Sequence, residues 1–411
     1  MAWSRIMQYS TYVMIVLATL GATLPSVHIA GIYITPYRLL LIPYLLLAIF
    51  WTMKQHQIQL VRGTSLLVIF LLIAISSVTW SIYPNLTLRD AAQLGTGAVL
   101  AVALSFILID RKSIHRSLIV LSLLGVAALV ISIPEVLTGN NLPTSKYAGR
   151  TIDGNIGYLA TAWHFNINDL SMFLLLTIAY PMATIFSKNI SSQTKRNSLI
   201  FTVAIIGLVF NNGSRAALIS VAIMIAVVAI LSYVSHRDAV PDWISFRPIM
   251  ALFSLLTYAL GVVLLALPNP IPAKSSSIFA RWELYEAEFS IGTSSIIGVG
   301  LGSSSRLIQE RKLTPNEVGD PHSWFGVAFT ELGIAGLLVL LALFAYLISN
   351  SIRASLRTKD PAVIAIAAWA FALPLSTLGP SNALYLESTW VGIGIIISAI
   401  KLSFAHTHPS A

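Results

Sequence analysis

The sequence contains no cysteine. The absence of thiols excludes disulfide bonds, thiolate catalysis and thiolate metal ligands. An Asp-x-Asp motif and a phosphate-binding P-loop are also missing. A metal centre or a nucleotide-hydrolysing site would therefore have to be assembled from residues far apart in the sequence. We expect no metal and no cofactor.

Charged residues are scarce: they make up 10% of the chain, whereas about a quarter of a soluble domain is charged. Hydrophobic residues account for 56% of the 411 positions, and the mean hydropathy is +0.81. This composition predicts a multi-pass membrane protein surrounded by lipid. The net charge of +9 does not indicate nucleic-acid binding, because the basic residues lie mainly in short loops between apolar runs.

About twelve apolar runs are long enough to be transmembrane helices, since a span needs about twenty residues. They cover residues 9–24, 36–53, 64–80, 91–109, 117–137, 167–186, 197–211, 215–234, 248–267, 323–348, 361–378 and 383–403. We therefore predict an all-α polytopic membrane protein that forms a single integral membrane domain, residues 1–411. The first run is interpreted as a retained helix rather than a cleaved signal, because so many spans follow it.

The distribution of charge predicts the orientation. Most Lys and Arg residues lie in loops on the same side as the N-terminus, whereas most acidic residues lie on the other side. The positive-inside rule then puts both termini in the cytoplasm. Three segments face outward in this arrangement: 138–166, the turn at 211–215 and the long stretch 268–321.

Residues 268–321 form the longest polar interruption between apolar runs. They contain an amphipathic stretch (279–289), a glycine-rich turn (298–302) and a charged patch (306–312). A loop of about fifty residues with its own helix pattern is typically functional. We predict that it carries short amphipathic helices and forms an active-site loop outside the cytoplasm. The glycines of GVGLG indicate a tight turn, because no strand precedes them as in a dinucleotide-binding fold.

Arg215 follows the turn Asn211-Asn212-Gly213-Ser214 at the start of a predicted helix. An arginine within the bilayer costs about 2.5–3.5 kcal/mol, so its position needs an explanation. Two interpretations are open. The side chain could extend to the lipid headgroups, or it could bind an anion together with the free N–H groups of the helix N-terminus.

Arg281 lies in the amphipathic stretch, beside three aromatic residues at helical spacing: Trp282, Tyr285 and Phe289. Such a stripe suits a helix at the membrane interface whose charges face water. The alternative directs Arg281 towards Arg215, with Glu283 or Glu286 orienting it. Spacing alone does not separate these two hypotheses.

Three further positions are weaker candidates. Arg150 is a loop arginine within AGRTIDGNIGY, where solvation is the ordinary outcome. Asn168 and Asp169 stand at the start of the sixth predicted helix, where capping would explain them. His322 follows Asp320-Pro321 at the start of the tenth helix. It is either a histidine near a helix end with no further role or a general base, because a helix N-terminus favours neutral imidazole.

Three stretches, in this order and spacing, resemble the O-antigen ligase family of bacterial envelope glycosyltransferases, which includes related O-antigen polymerases. They are GSRAAL (213–218), ARWELYEA followed by GVGLG (280–302) and PHSWFGVAFTELGIAG (321–336). AGRTIDGN with the later IND is a weaker match. The chain departs from the family pattern at Ala216, where glycine is usual, and at Ser323, where asparagine is frequent.

The resemblance implies a donor of undecaprenyl-pyrophosphate-linked polysaccharide, an acceptor hydroxyl on lipid A–core oligosaccharide and a site facing the periplasm from the inner membrane. It implies catalytic roles for His322, Arg215 and Arg281, with His322 as the base of a metal-independent inverting transfer. The substrate-binding residues that it implies are Arg150, Arg215, Arg281, Asn168 and Ser323. It leaves the oligomeric state unknown.

Two alternatives stay open at this stage. An O-antigen polymerase would use the same donor with a second lipid-linked repeat as acceptor. A lipid-linked oligosaccharide flippase or transporter also suits twelve spans, although transporters tend to have paired halves and ionisable residues at the midplane. Here the charges gather at one face and in one loop.

Overall fold

The computed structural model describes residues 2–21, 24–29, 32–54, 61–149, 159–188, 190–235, 276–314, 323–380 and 383–405. Within these ranges the chain is almost entirely helical. The predicted ninth span, 248–267, lies outside the described residues, as do both ends of the segment 268–321.

The described part contains thirteen α-helices. They are α1 (Ala2–Leu20), α2 (Pro36–Lys54), α3 (Arg62–Ser76), α4 (Pro84–Ile107), α5 (Arg111–Thr138), α6 (Ile167–Phe186), α7 (Ser192–Asn211), α8 (Arg215–Ser235), α9 (Ser276–Ser294), α10 (Ser303–Glu310), α11 (Trp324–Thr358), α12 (Pro361–Ser376) and α13 (Glu387–Ala405). Short 3-10 helices follow α3 (Ser77–Thr79) and precede α13 (Ala383–Tyr385).

Among the residues that the structure describes, eight helices are long and apolar enough to cross a membrane: α2, α3 with its 3-10 extension, α4, α5, α6, α8, α11 and α13. The apolar helix α12 is shorter, with 16 residues. The predicted all-α polytopic membrane fold is confirmed. Helices α1 and α7 occupy the predicted spans 9–24 and 197–211 but are not among the eight.

A small β-hairpin between α1 and α2 was not anticipated from the hydropathy. Strands β1 (Val27–Ile29) and β2 (Ile32–Ile34) pair antiparallel, with Val27 opposite Ile34. The strands are only three residues long, which is too short for the alternation of side chains to stand out in a sequence.

Helices α12 and α13 form the centre of the bundle, with nearly every side chain buried. Their packing depends on glycine, which lets large rings approach a backbone. A Cβ on Gly97 in α4 would collide with the Trp390 ring, and a Cβ on Gly392 would collide with Trp369. Trp390 stacks in turn on Trp324, with ring centroids 5.1 Å apart. Small residues at such contacts are how helices pack where lipid removes the hydrophobic drive.

Helix α11 is broken at Gly333, whose φ of 68° and ψ of −165° are not helical. The break leaves the carbonyls of Thr330 and Glu331 without helical partners. They accept hydrogen bonds from Val299 N at 3.0 Å and Gly300 N at 2.9 Å. Ile334 N donates back to Ile296 O at 3.0 Å, just beyond the break. The predicted glycine turn is therefore present, and it docks on the break in α11.

We predict that Gly333→Ala destabilises the fold by at least about 3 kcal/mol. This combination of φ and ψ is accessible almost only to glycine, and a Cβ would collide with the Ile296 carbonyl oxygen. The measurement is the thermal unfolding midpoint of the protein purified in detergent.

Gly207→Ala in α7 is the matched control, because a Cβ there meets no atom within 4 Å. Alanine favours a helix by about 1 kcal/mol over glycine, so this variant should be as stable as the parent or slightly more so. An unchanged midpoint for Gly333→Ala would show that the break in α11 does not depend on glycine.

Candidate active site

Arg215 is the first residue of α8, and its side chain is partly buried. The turn before it is fixed by Asn212, whose side-chain amide pairs with the backbone of Ala160. Asn212 Oδ1 accepts from Ala160 N at 3.0 Å, and Asn212 Nδ2 donates to Ala160 O at 2.9 Å. The Glu135 carboxylate accepts from Thr161 N at 2.8 Å. These contacts hold the start of α8 against the segment that leads into α6.

Asn168 lies in the first turn of α6 and does not cap it. The cap is Asn166, whose Oδ1 accepts from Asn168 N at 2.8 Å and Asp169 N at 3.0 Å. The interpretation of Asn168 and Asp169 as the cap is therefore wrong, because α6 begins at Ile167 and both residues lie inside its first turn.

The first turns of α6 and α8 meet at Gly379, directly after α12. A Cβ built on Gly379 would lie 3.4 Å from the Ala216 Cβ and 3.8 Å from the Asn168 Cβ. The structure thus brings Asn168 close to the residue that follows Arg215, although 47 positions separate Asn168 from Arg215 in the sequence.

The remaining predicted residues are described only in part. Arg281 lies in α9, but its side chain is outside the description, and Arg150 and His322 lie outside the described residues altogether. Ser323 is buried and caps α11, its Oγ accepting from Phe325 N at 3.2 Å and Gly326 N at 3.4 Å. His322 therefore immediately precedes a helix cap in the sequence, and its role stays a prediction.

A cavity of about 260 Å³ opens beside Ser323. It lies where the second and third turns of α4, the start of α11 and the chain between α12 and α13 come together. Its polar lining comprises Arg89, Asp90, Gln93, Ser305, Ser323, Glu331 and Tyr385. Trp324 and Pro380 contribute to its apolar wall.

Asp90 is the centre of a small polar network in this cavity. Arg89 Nε donates to Asp90 Oδ1 at 2.8 Å, and the Tyr385 hydroxyl donates to Asp90 Oδ2 at 3.3 Å. Burial, together with the nearby Glu331 and Asp90 carboxylates, raises the pKa of the Tyr385 hydroxyl well above its ordinary value. Tyr385 therefore stays protonated and acts as a donor.

Glu331 joins the cavity to the glycine turn. Its carboxylate accepts from Gly302 N at 2.7 Å, from Ser304 N at 3.3 Å and from the Ser304 hydroxyl. Gly302 has a φ of 75°, and a Cβ there would collide with the Asp90 carboxylate. These contacts fix the position of the glycine turn relative to the start of α10 and to Asp90.

Sequence reasoning did not assign a role to four of these residues: Arg89, Asp90, Gln93 and Tyr385. The available signal was a charged pair, Arg89-Asp90, placed directly before an apolar run. Within the described residues, no group of three or more His, Asp or Glu side chains is arranged to hold a metal ion.

Residues 200–341 match the sequence model of the Wzy_C family, described as O-Antigen ligase. This match covers about a third of the chain. The matched region runs from α7 into α11 and includes Arg215, Arg281, His322 and the broken helix at Gly333. The resemblance predicted from the sequence is confirmed.

Two known proteins are similar over most of the chain. "Teichuronic acid biosynthesis protein TuaE" of Bacillus subtilis (strain 168) is 24% identical over 426 residues, covering 97% of this chain and 85% of TuaE. A solved structure described as "Structural coordination of polymerization and crosslinking by a peptidoglycan synthase complex" has a chain that is 16% identical. That match covers 83% of this chain and 97% of the other, with a TM-score of 0.42, which is too low to carry a structural argument.

We predict that Glu331→Gln lowers the free energy of unfolding by about 1–3 kcal/mol. The carboxylate accepts from two amides and one hydroxyl, and an amide side chain replaces one accepting oxygen by a donor, so at least one buried N–H or O–H loses its partner. Thermal unfolding in detergent measures the change.

Glu310→Gln is the control for this substitution. Glu310 is exposed and pairs with Arg306 at the surface, where an ion pair contributes little. Equal unfolding midpoints for the two variants would show that Glu331 does not hold the turn.

Proposed function

We propose that this protein is a membrane glycosyltransferase of the O-antigen ligase type. It transfers an undecaprenyl-pyrophosphate-linked polysaccharide to a sugar hydroxyl on lipid A–core oligosaccharide. The observation that carries the proposal is the position of Arg215 within the region that matches the O-antigen ligase family. It is a partly buried guanidinium at a helix N-terminus, beside the first turn of α6.

The arginines act on the pyrophosphate of the donor. Arg215 offers a planar fork of donors that matches phosphate oxygens, and the N-terminus of α8 adds favourable electrostatics. Arg281 and Arg150 complete the anion site, with Asn168 and Ser323 contacting substrate. Donors placed where negative charge develops lower the barrier to breaking the glycosidic bond.

His322 acts on the acceptor. Its imidazole takes the proton from the acceptor hydroxyl as that oxygen attacks the anomeric carbon of the donor glycan. The new glycosidic bond forms as the bond to undecaprenyl pyrophosphate breaks, with inversion at the anomeric carbon. The lipid pyrophosphate is already an activated leaving group, so the step needs neither metal nor cofactor.

The site faces the periplasm from the inner membrane, with both termini in the cytoplasm and the loop 268–321 outside. The positive-inside distribution supports this orientation. The N-terminal turns of α6 and α8 lie together at Gly379, and the N-terminal parts of α4 and α11 lie together at the cavity. The polar residues of these helices are therefore close to one another.

An O-antigen polymerase is the second candidate. The similarity to TuaE favours it, because the name of that protein concerns teichuronic acid rather than lipopolysaccharide. A polymerase would keep the donor chemistry of Arg215 and Arg281 and use a second lipid-linked glycan as acceptor.

A lipopolysaccharide gel of a strain lacking the gene distinguishes the two. For a ligase, the deletion leaves bare core while long glycan accumulates on undecaprenyl pyrophosphate. The intact gene restores the ladder and His322→Ala does not. Core carrying a single repeat would identify a polymerase instead, and an unchanged ladder would contradict both assignments.

We predict that Arg215→Ala lowers kcat for glycan transfer about 10²–10³-fold, the size expected when one transition-state donor is lost. Arg215→Lys should recover part of the rate, because it keeps the charge but not the fork. The assay is glycan transfer by purified protein with a lipid-linked donor.

Arg196→Ala serves as the control for lost arginine charge. Arg196 is exposed in the first turn of α7, at the opposite end of that helix from Arg215, and contacts Gln193. Transfer at the parental rate by Arg215→Ala would remove Arg215 from the mechanism.

A further inference from the structure

The cavity between α4, α11 and α13 has the size of a site for one small ring. Its volume is about 260 Å³, just below the range of about 300–1,000 Å³ that drug-sized ligands occupy. A polysaccharide chain or a lipid tail does not fit inside it. A single sugar at the end of a glycan does.

The charges of the cavity oppose a phosphate. It contains two carboxylates, Asp90 and Glu331, and one guanidinium, Arg89, which already donates to Asp90 at 2.8 Å. The guanidinium in the lining is thus already paired with a carboxylate, and Asp90 would repel a pyrophosphate. Carboxylate, amide and hydroxyl groups instead present acceptors and donors that match sugar hydroxyls.

Two residues that line the cavity carry hydrogen-bond donors without a partner among the described residues, which supports a ligand rich in oxygen. Trp324 is 1% exposed, and no hydrogen-bond partner for its Nε1–H exists among the described residues. A buried polar group without a partner is costly, and a ligand oxygen would satisfy it. The Gln93 side chain also lines the cavity, and it makes no hydrogen bond within the described part of the chain.

The position of the cavity connects it to the proposed reaction. Ser323 lines it, and Ser323 follows His322, the proposed base. Pro380 lines it as well and follows Gly379, which abuts Ala216 and Asn168 beside Arg215. The cavity therefore lies next to the proposed pyrophosphate site and is distinct from it in charge.

We propose that this cavity binds one sugar ring of the glycan substrates through its hydroxyl groups, and that this ring belongs to the acceptor. The proposal rests on the proposed function, because it assigns the cavity to a substrate of that transfer. Asp90, Gln93 and Glu331 accept or donate to ring hydroxyls, with Tyr385 fixing the Asp90 carboxylate. Arg215 and its partners hold the donor pyrophosphate separately.

The test measures glycan binding to the full-length protein in detergent. The probes are two lipid-free oligosaccharides from the source bacterium: deacylated core, and the repeat unit released from its lipid. Gln93→Leu keeps the side-chain volume and removes the amide, and should weaken binding of the core about tenfold. Tyr385→Phe should also weaken binding of the core, by a smaller factor.

Gln309→Leu is the matched control, since Gln309 is exposed on α10 and lies outside the cavity lining. It should bind the probes like the parent, and both Gln93→Leu and Gln309→Leu should unfold at the parental midpoint. Arg215→Ala should lower transfer about 10²–10³-fold yet still bind the core, because the two sites are separate.

The outcomes separate the two proposals. Equal core affinity for Gln93→Leu and the parent, or no binding of either probe, would overturn the sugar site. Weakened binding of the repeat unit alone would place a donor or polymerase sugar in the cavity and overturn the acceptor assignment. Binding that depends on Gln93 in a protein that transfers no glycan would retain the sugar site and reject the glycosyltransferase.

Discussion

The break in α11 at Gly333 is the constraint on which the rest of this face depends. An intact helix satisfies its own carbonyls, whereas the break frees those of Thr330 and Glu331. Unsatisfied backbone groups are costly inside a membrane protein. The amides of Val299 and Gly300 remove that cost. The glycine turn and the broken helix therefore stabilise each other, and both need glycine because their backbones lie in close contact.

Two sets of contacts connect the break in α11 to the cavity. Glu331 lies next to the break, and its carboxylate accepts hydrogen bonds from the backbone N–H groups of Gly302 and Ser304, which fixes the start of α10. Gly302 then sits against Asp90, whose carboxylate is held from the other side by Tyr385. The contact at Gly302 leaves no space for a Cβ, and the other contacts are hydrogen bonds to buried polar groups. The polar groups of the cavity are thus positioned by packing, as a binding site requires.

Hydropathy was sufficient to predict the polytopic fold, because spans such as α6 and α12 are apolar over most of their length. It could not predict the cavity, since Arg89 and Glu331 are 242 positions apart and share no periodic pattern. The break at Gly333 was equally hidden, because TELGIAG reads as an ordinary helical stretch. Asn168 illustrates a smaller limit: the start of α6 at residue 167 was predicted correctly, but the cap is the residue before it, Asn166, and not Asn168.

The two polar regions divide along the chemistry that each is proposed to serve. A pyrophosphate needs cations and helix N-termini, and Arg215 at the start of α8 supplies both. A sugar ring needs hydrogen-bond donors and acceptors. A carboxylate can accept from sugar hydroxyls, whereas the same carboxylate would repel a phosphate. Gly379 and Pro380 lie between the two regions: Gly379 is next to Ala216 and Asn168, and Pro380 lines the cavity. In the proposed reaction, this short separation would keep the carboxylates away from the leaving group and the acceptor hydroxyl within reach of the anomeric carbon.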